Sequence, residues 1–300
     1  MSNGAVHQGI VVGVDGSASS DMAVRWAARE AGTRNIPLSL VHVVERPPWG
    51  LFALGGGALP PAYETNESQE TEGQEIISAA VELAKDSVPN GFLPQLQVQV
   101  YFSAIGPALF ELSTQAQLMV VGCRGHSRVG RLLLGSVSTG LIHHARCPVA
   151  VIHDEIPAAA KPSQLPVVVG IDGSPASESA TAIAFDEASW RGVELIAVHA
   201  WSDAHVSDLP SIDWSAQQAV GEEALAERLA GWPERYPDVT VRRRIVPDAP
   251  ARHLLEEAES SQLLVVGSHG RGGFPGMLLG SVSTAVAQAA RVPVIVARQP

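Results

Sequence analysis

The chain contains one long series of motifs twice. The segment LLLGSVST at 132–139 is matched by MLLGSVST at 277–284, and IVVGVDGS at 10–17 is matched by VVVGIDGS at 167–174. The apolar segments LVHV and IAVHA, LMVVG and LLVVG, and CPVAVIH and VPVIVAR correspond in the same order. Because each copy of the pattern must form the same structural unit, the sequence predicts two similar domains.

The spacing between matched residues changes along the chain. Asp15 and Asp172 lie 157 positions apart, whereas Gly122 and Gly267 lie 145 apart. The first half therefore holds about twelve additional residues, which we assign to a predicted long loop at 47–73 that is rich in Pro, Gly and polar residues. Such a loop can be a lid, a partner surface or a variable insertion, and the sequence leaves these alternatives open.

Composition excludes several classes of protein. Apolar residues make up 46% of the 300 residues and charged residues 17%, which is typical of globular domains. The net charge of −11 argues against a nucleic-acid partner, and the short basic segment VRRRIV at 241–246 is interpreted as an exposed strand. With no apolar run long enough for a membrane span and no secretory leader, we expect a cytoplasmic protein without a membrane partner.

Each half alternates short β-branched runs with helical stretches. Five apolar runs per half are followed or preceded by Ala-rich or amphipathic segments, as in GIVVGVD followed by SSDMAVRWAAREAGTRN. Strands that are apolar throughout are typical of parallel sheets covered by helices on both faces. The sequence thus predicts an α/β fold of two doubly wound domains at 1–156 and 166–300, joined by a Pro-containing linker at 157–165.

The repeated glycines stand where a strand gives way to a helix. Gly122 and Gly125 precede Gly135 and Ser136 with a fixed spacing, which Gly267, Gly270, Gly280 and Ser281 repeat. A glycine allows main-chain N–H groups to approach an anion, and a helix N-terminus adds unpaired N–H groups and partial positive charge. The pattern favours a phosphate site, in which the Ser136 and Ser138 hydroxyls could donate to phosphate oxygens; a structural turn capped by serine is the alternative.

Other polar residues fall at the same strand ends. Asp15 and Asp172 end the first strand of each half and are predicted to accept hydrogen bonds from ribose hydroxyls or an adenine amino group, with helix capping as the alternative. His42 and His199 lie inside apolar runs and are interpreted as satisfied core residues. Cys123 lies in the first glycine loop, where a redox role is one alternative.

The absence of catalytic motifs narrows the function. The sequence has no P-loop, no G-x-G-x-x-G fingerprint after the first strand and no G-x-S-x-G elbow. No acid–base pair with suggestive spacing lies near either glycine loop. The sequence therefore favours a binding protein over a fast enzyme.

These motifs together resemble the universal stress protein family in its tandem, ATP-binding form. The resemblance covers 7–153 and 165–298 and implies a sheet with strand order 3-2-1-4-5 in each half, with the fifth strands pairing between halves. In the first half it implies ATP contacts at Gly13, Val14, Asp15, Val43, Val121, Gly122, Arg124, Gly125, Gly135, Ser136, Val137 and Ser138. In the second half the matching positions are Ile171, Asp172, Ala200, Val266, Gly267, His269, Gly270, Gly280, Ser281, Val282 and Ser283.

The resemblance implies a stress-response regulator with two ATP sites, optional Mg²⁺, and slow or no hydrolysis. It is also consistent with a homodimer and with an unidentified protein partner. The alternatives are an ATP-hydrolysing or nucleotidyl-transfer enzyme on the same fold, a flavin-binding domain, and a structural dimerisation module whose loops are empty.

Overall fold

The two copies of the motif series form one sheet of ten strands. The computed structural model describes residues 9–45, 62–88, 95–125, 134–153, 164–202, 214–271 and 279–298. The spatial strand order is β3-β2-β1-β4-β5-β10-β9-β6-β7-β8. The strands are β1 (Ile10–Val14), β2 (Leu38–Val44), β3 (Leu96–Phe102), β4 (Leu118–Gly122), β5 (Val149–Ile152), β6 (Val167–Gly170), β7 (Leu195–Ala200), β8 (Val241–Val246), β9 (Leu263–Gly267) and β10 (Val294–Ala297).

Helices connect the strands and cover both faces of the sheet. They are α1 (Ala18–Arg34), α2 (Ala62–Asp86), α3 (Ile105–Leu112), α4 (Ser136–His144), α5 (Pro175–Arg191), α6 (Trp214–Arg228), α7 (Trp232–Arg235), α8 (Pro250–Ala258) and α9 (Ser281–Ala289). Residues of α1, α2, α5 and α6 form one buried apolar layer, and residues of α3, α4, α8 and α9 form the other. The doubly wound α/β fold that the sequence predicts is confirmed.

The central strands are buried on both faces, which explains their continuous apolar runs. Ile10, Val11 and Val12 of β1 have no exposed surface although successive side chains point to opposite faces. Small residues allow α1 to lie close against this sheet, since Ala23 and Ala27 on that helix are also fully buried. The close packing fixes where the end of each strand stands relative to the next helix.

The halves are joined by their last strands. Within each half all strands are parallel, whereas β5 and β10 are antiparallel, with Ile295 opposite Ala150. The order 3-2-1-4-5 in each half and the pairing of the fifth strands agree with the resemblance. Since β5 and β10 run in opposite directions, the carboxyl ends of the first-half strands point one way along the strand direction, and those of the second half point the other way.

Four charged side chains pack between the halves, where α1 meets α5. Glu30 and Arg34 of α1 contact Glu187 and Arg191 of α5, and the chain duplicates these positions with a spacing of 157. Arg34 Nη2 also lies 2.9 Å from Glu30 Oε2, and Arg191 contacts Glu187 within α5. The side chains are between 1% and 11% exposed. Each charge is therefore balanced by a buried partner.

The prediction of a loop at 47–73 is wrong for its second part. Residues 62–73 form the first turns of α2, and residues 47–61 lie outside the described residues. The segment AYETNESQETEG contains no proline and a single glycine, and it has four glutamates, which are good helix formers. Gly73 lies inside α2 where a Cβ would approach His42 Cδ2 to 3.1 Å, so this glycine serves close packing and not a turn.

The domain boundaries 1–156 and 166–300 stay predictions. Of the linker predicted at 157–165, only Gln164 and Leu165 belong to the described residues.

Candidate functional site

In the second domain, the carboxyl ends of β6, β7 and β9 surround a cavity of about 320 Å³. All eleven positions that the resemblance implies for this domain line it: Ile171, Asp172, Ala200, Val266, Gly267, His269, Gly270, Gly280, Ser281, Val282 and Ser283. In a doubly wound sheet, ligands bind beyond the carboxyl ends of the strands. The cavity therefore brings the predicted second-domain residues together.

A turn at the end of β6 fixes one wall of the cavity. Asp172 Oδ1 accepts a hydrogen bond from the Ser174 N–H at 2.9 Å. Ser174 begins α5 as its N-cap, with its hydroxyl accepting from the Ser177 N–H at 3.2 Å. The Ser177 hydroxyl in turn accepts from the Asp172 N–H at 3.1 Å. The capping residue is therefore Ser174, and the carboxylate of Asp172 is held by the turn that precedes the helix.

The second oxygen of Asp172 faces the glycine loop after β9. A Cβ placed on Gly270 would lie 2.6 Å from Asp172 Oδ2, so only glycine leaves room for the carboxylate here. The Arg271 N–H donates to the same oxygen at 3.1 Å. A Cβ on Gly267 would meet Ala176 at 2.8 Å, where α5 crosses the strand end. The two glycines thus allow the loop to lie against the carboxylate and the helix.

The third wall is the N-terminus of α9. Gly280 is its N-cap, with φ −73° and ψ 156°, and no side chain caps the first turn. The Gly280 N–H donates to Ser268 O at 2.7 Å, which anchors the loop next to the helix. Ser281 and Val282 of the first turn line the cavity. Their N–H groups belong to the helix end that carries partial positive charge.

The hydroxyl of Ser138 has a different role from the predicted one, and so has that of Ser283, its match in the second half. Ser283 donates to Gly267 O at 2.5 Å, and Ser138 donates to Gly122 O at 2.7 Å. Both serines are buried. Since the hydrogen of each hydroxyl is used by the strand-end carbonyl, these side chains fix the helix to the strand and have no hydrogen to donate to a phosphate.

The first domain repeats this geometry. The Ser17 N–H donates to Asp15 Oδ1 at 2.9 Å, and the Ser17 hydroxyl caps α1 by accepting from the Ser20 N–H at 3.3 Å. A Cβ on Gly125 would lie 2.7 Å from Asp15 Oδ2. Gly135 is the N-cap of α4, again without a side-chain cap. The remaining predicted positions lie on β1, β2, β4 and α4 or, for Arg124, in the loop after β4: Gly13, Val14, Val43, Val121, Gly122, Arg124, Ser136, Val137 and Ser138.

Comparison with known proteins matches this architecture in both halves. The model of the universal stress protein family matches residues 7–153 and 165–298. The chain belongs to the universal stress protein family.

Full-length members of the family are similar to the whole chain. A universal stress protein of Mycobacterium tuberculosis strain H37Rv is 52% identical over 310 residues, covering 100% of both chains. One from Mycolicibacterium smegmatis is 49% identical over 300 residues, covering 99% of both. The crystal structure of a universal stress protein from Archaeoglobus fulgidus covers 98% of this chain and 100% of its own, with a TM-score of 0.70 and 20% identity. That last likeness concerns the fold.

The histidines of β2 and β7 in this universal stress protein bond to the main chain at the end of the neighbouring strand. His199 is 5% exposed, and its Nδ1 lies 2.7 Å from Ile171 O; His42 Nδ1 lies 2.7 Å from Val14 O. A carbonyl only accepts, so Nδ1 carries the hydrogen. Burial lowers the pKa of His199 below its ordinary value. The interpretation as a satisfied core residue is confirmed for His199, whereas His42 has the same hydrogen bond but is only partly buried.

Several lining residues escaped the sequence reasoning. Pro250 and Leu254 of α8 and Leu279 before α9 supply apolar surface, and Ser177 of α5 is a polar lining residue. The Arg271 guanidinium donates to Ala200 O at 3.2 Å, which links the glycine loop to the end of β7. Pro250 and Leu254 are one helical turn apart, so the sequence shows that they share one face of α8. This spacing does not distinguish a helix face that lines a cavity from one that packs in the core.

Both cysteines of the chain are buried. Cys123 is 3% exposed, so its thiol lacks the access to solvent that a redox role requires; burial raises the pKa of Cys147 to about 12. Within the described ranges, no three His, Cys, Asp or Glu side chains are grouped as metal ligands. In the same residues, no helix has the length and apolar character that crossing a membrane requires.

Proposed function

We propose that this universal stress protein binds ATP in both domains and acts in the cytoplasm as a stress-response regulator with slow or no hydrolysis. The observation that carries the proposal is the second-domain cavity, in which a strand-end carboxylate and an uncapped helix N-terminus face one space. Its volume of about 320 Å³ is within the range of about 300–1,000 Å³ that small-molecule sites occupy.

The phosphate end of the nucleotide would lie at the start of α9. Gly270 and Gly280 present main chain without side chains, and the helix end provides N–H donors. His269 lines the same part of the cavity, where it would contact phosphate oxygens. An anion there would also supply the cap that α9 lacks, since its first N–H groups have no side-chain acceptor.

The nucleoside end would lie between β6 and β7. Asp172 Oδ2 points away from the turn that holds Oδ1, so it can accept from ribose hydroxyls. Ile171, Val198 and Val266 provide an apolar surface for the base. The carbonyl of Ala200 accepts from Arg271 in the structure, and an adenine amino group would replace that donor.

The residues in this cavity are better suited to binding than to catalysis. Among the described lining residues, Asp172 is the one carboxylate, and in this placement its Oδ2 would bond the ribose and not a water beside the phosphates. A general base needs a free position next to an attacking water. Mg²⁺ would be held chiefly by phosphate oxygens and water, as is usual for this ion. Regulation would then follow from the nucleotide state, read by a protein partner.

The proposal is tested on the protein as purified. Acid release of bound small molecules followed by chromatography should yield adenine nucleotide. Calorimetry on the protein after removal of its ligand should give about two ATP per chain, one for each cradle, the glycine loop and helix N-terminus of each domain. Product formation is followed in the same samples; turnover above about 1 s⁻¹ would favour the enzyme alternative. A stripped protein that is folded by circular dichroism and binds no ATP would refute the proposal.

A further inference from the structure

A main-chain acceptor lies in the crevice between the ends of β6 and β7. The Trp201 N–H donates to β8 on one side of β7, whereas Val198 O accepts from the Ile171 N–H on the other side. Since the main-chain groups of alternate strand residues point to opposite sides, the carbonyl of Ala200 points to the same side as that of Val198. β6 ends at Gly170, which pairs with Val198, so this carbonyl lies beyond the paired part of the two strands.

Arg271 occupies this acceptor. Its guanidinium Nη2 lies 3.2 Å from Ala200 O, and its own main-chain N–H donates to Asp172 Oδ2 at 3.1 Å. The proposed function assigns the carbonyl to the adenine amino group and the carboxylate to the ribose hydroxyls. The two contacts of one residue therefore fall on the two acceptors that a nucleoside would use.

The main-chain contact fixes where the Arg271 side chain starts. The loop lies so close to Asp172 that a Cβ on Gly270 would come within 2.6 Å of Oδ2. Because this end of the side chain is held, fewer conformations are lost when the guanidinium reaches β7. After burial, the charge of Arg271 is a further cause that lowers the pKa of His199, which agrees with a cation beside the end of β7.

The two contacts differ in whether a ligand can share them. A carboxylate oxygen accepts more than one hydrogen bond, so a ribose hydroxyl can join the Arg271 N–H on Asp172. The guanidinium, in contrast, stands in the crevice into which the base would insert. An adenine amino group and a guanidinium both bring donors to Ala200 O, so neither gains from the presence of the other. The side chain must leave before the base can bind.

We propose that Arg271 is an internal competitor for the nucleoside in the second-domain site. Its guanidinium takes the place of the adenine amino group on Ala200 O, and nucleotide binds to the fraction of molecules that have released it. The inference rests on the proposed function, because it requires that the cavity accept a nucleoside. The duplicated position in the first half is His126, so a change at Arg271 alters one site and leaves the other as an internal control.

The strength of the competition follows from the hydrogen bond. A bond of this kind favours the bonded over the released side chain by about two- to tenfold. The apparent affinity for a ligand is reduced by the fraction of protein that is competent to bind it. Removing the guanidinium should therefore tighten nucleoside binding in the second domain by about three- to tenfold.

The test uses adenosine as the probe, because a ligand without phosphates is not attracted by the charge that the variant loses. Arg271→Met keeps an unbranched side chain without a donor. Calorimetry on the full chain, after removal of bound ligand, should show that one of the two binding constants rises by about three- to tenfold while the other is unchanged. An arginine with a purely structural role would instead lower the affinity or the melting temperature when it is lost.

The matched control is Arg243→Met, which removes an exposed arginine of β8 that does not belong to the described lining residues of the cavity. It should bind adenosine as the parent does. A thermal melt followed by circular dichroism shows whether each variant is folded. Arg271→Ala keeps the main-chain N–H on Asp172 and should give the same gain, so it serves if Arg271→Met does not fold.

Titration of ATP into the parent separates this inference from the proposed function. If the parent binds ATP in both domains and the folded Arg271 variants bind adenosine no more tightly than the parent, the competitor is disproved and the proposed function stands. If a variant binds adenosine in the second domain where the parent binds neither ligand, the competitor is supported and the proposed function fails for that domain. If neither parent nor variant binds either ligand there, or if the control gains as much as the variants, the inference is overturned.

Discussion

Replacing Gly280 by aspartate should separate ligand binding from folding. Gly280 has φ −73° and ψ 156°, which any residue adopts, and a Cβ there would lie 3.5 Å from its nearest neighbours, His269 Cα and Ser268 O, which is ordinary contact. The new carboxylate would stand at the N-cap of α9, where it accepts from the uncapped N–H groups. Capping and the helix dipole together should raise stability by about 0.5 kcal/mol.

The same carboxylate would repel a bound triphosphate. Two unit charges about 4 Å apart interact by about 4 kcal/mol at an effective dielectric constant near 20, and the open mouth of the cavity reduces this to about 2–4 kcal/mol. ATP binding to the second domain should therefore weaken by about 30- to 1,000-fold. Calorimetry should find about one ATP per chain in place of two, and the additional change Gly135→Asp should abolish binding, since Gly135 caps α4 in the same way.

The matched control is Ser260→Asp, which adds the same charge at an exposed position before β9, at the amino end of that strand. It should keep the stoichiometry and affinity of the parent. The reasoning is refuted if Gly280→Asp binds two ATP with unchanged affinity. It is also refuted if the melting temperature of that variant falls by several degrees, because the structure shows room for the side chain.

Three further predictions concern the buried polar groups. Glu187→Gln leaves Arg34 and Arg191 with one carboxylate and should lower the free energy of unfolding by about 3–5 kcal/mol, measured in urea, whereas removing Glu187 and Arg191 together should cost less. Because burial lowers the pKa of His199 in the folded state, the unfolded chain takes up the proton first, so stability should fall as pH drops from about 7 to about 5, and less steeply in His199→Gln. Cys147, whose pKa burial raises to about 12, should react with a thiol reagent at pH 8 only after denaturation.

Each of these has its own contrary result. A loss below about 1 kcal/mol for Glu187→Gln would mean that the charged group is solvated and not buried. If the stability of His199→Gln depends on pH in the same way as that of the parent, groups other than His199 cause the loss of stability at low pH. Rapid labelling of the native protein would contradict the burial of the thiols.

The sequence predicted the strands well because they are buried on both faces. Runs such as VVVG and LLVVG are apolar throughout, which is typical of a strand buried on both faces. The glycine that ends each run marks the carboxyl end of the strand, where the site lies. The duplication doubled this signal. The eleven second-domain positions were placed from the resemblance, and the cavity brings them together.

What the sequence did not predict depends on distant contacts. The pairing of Glu30 with Arg191 joins residues 161 positions apart, and nothing in either helix identifies the partner. The hydroxyls of Ser138 and Ser283 were assigned to phosphate because the sequence does not show that strand-end carbonyls lie within reach. The polar composition of residues 62–73 is typical of loops as well as of exposed helices, and here helix propensity decides the structure.

The antiparallel join between β5 and β10 has a consequence for how two ligands would affect each other. It directs the two cradles to opposite poles of the molecule, separated by at least the length of a strand, roughly 15 Å. At physiological ionic strength the repulsion between two polyphosphates is screened over about 8 Å, so filling one cradle should not electrostatically disfavour the other. Any cooperativity measured between them would therefore have to be transmitted mechanically, through the seam between the halves.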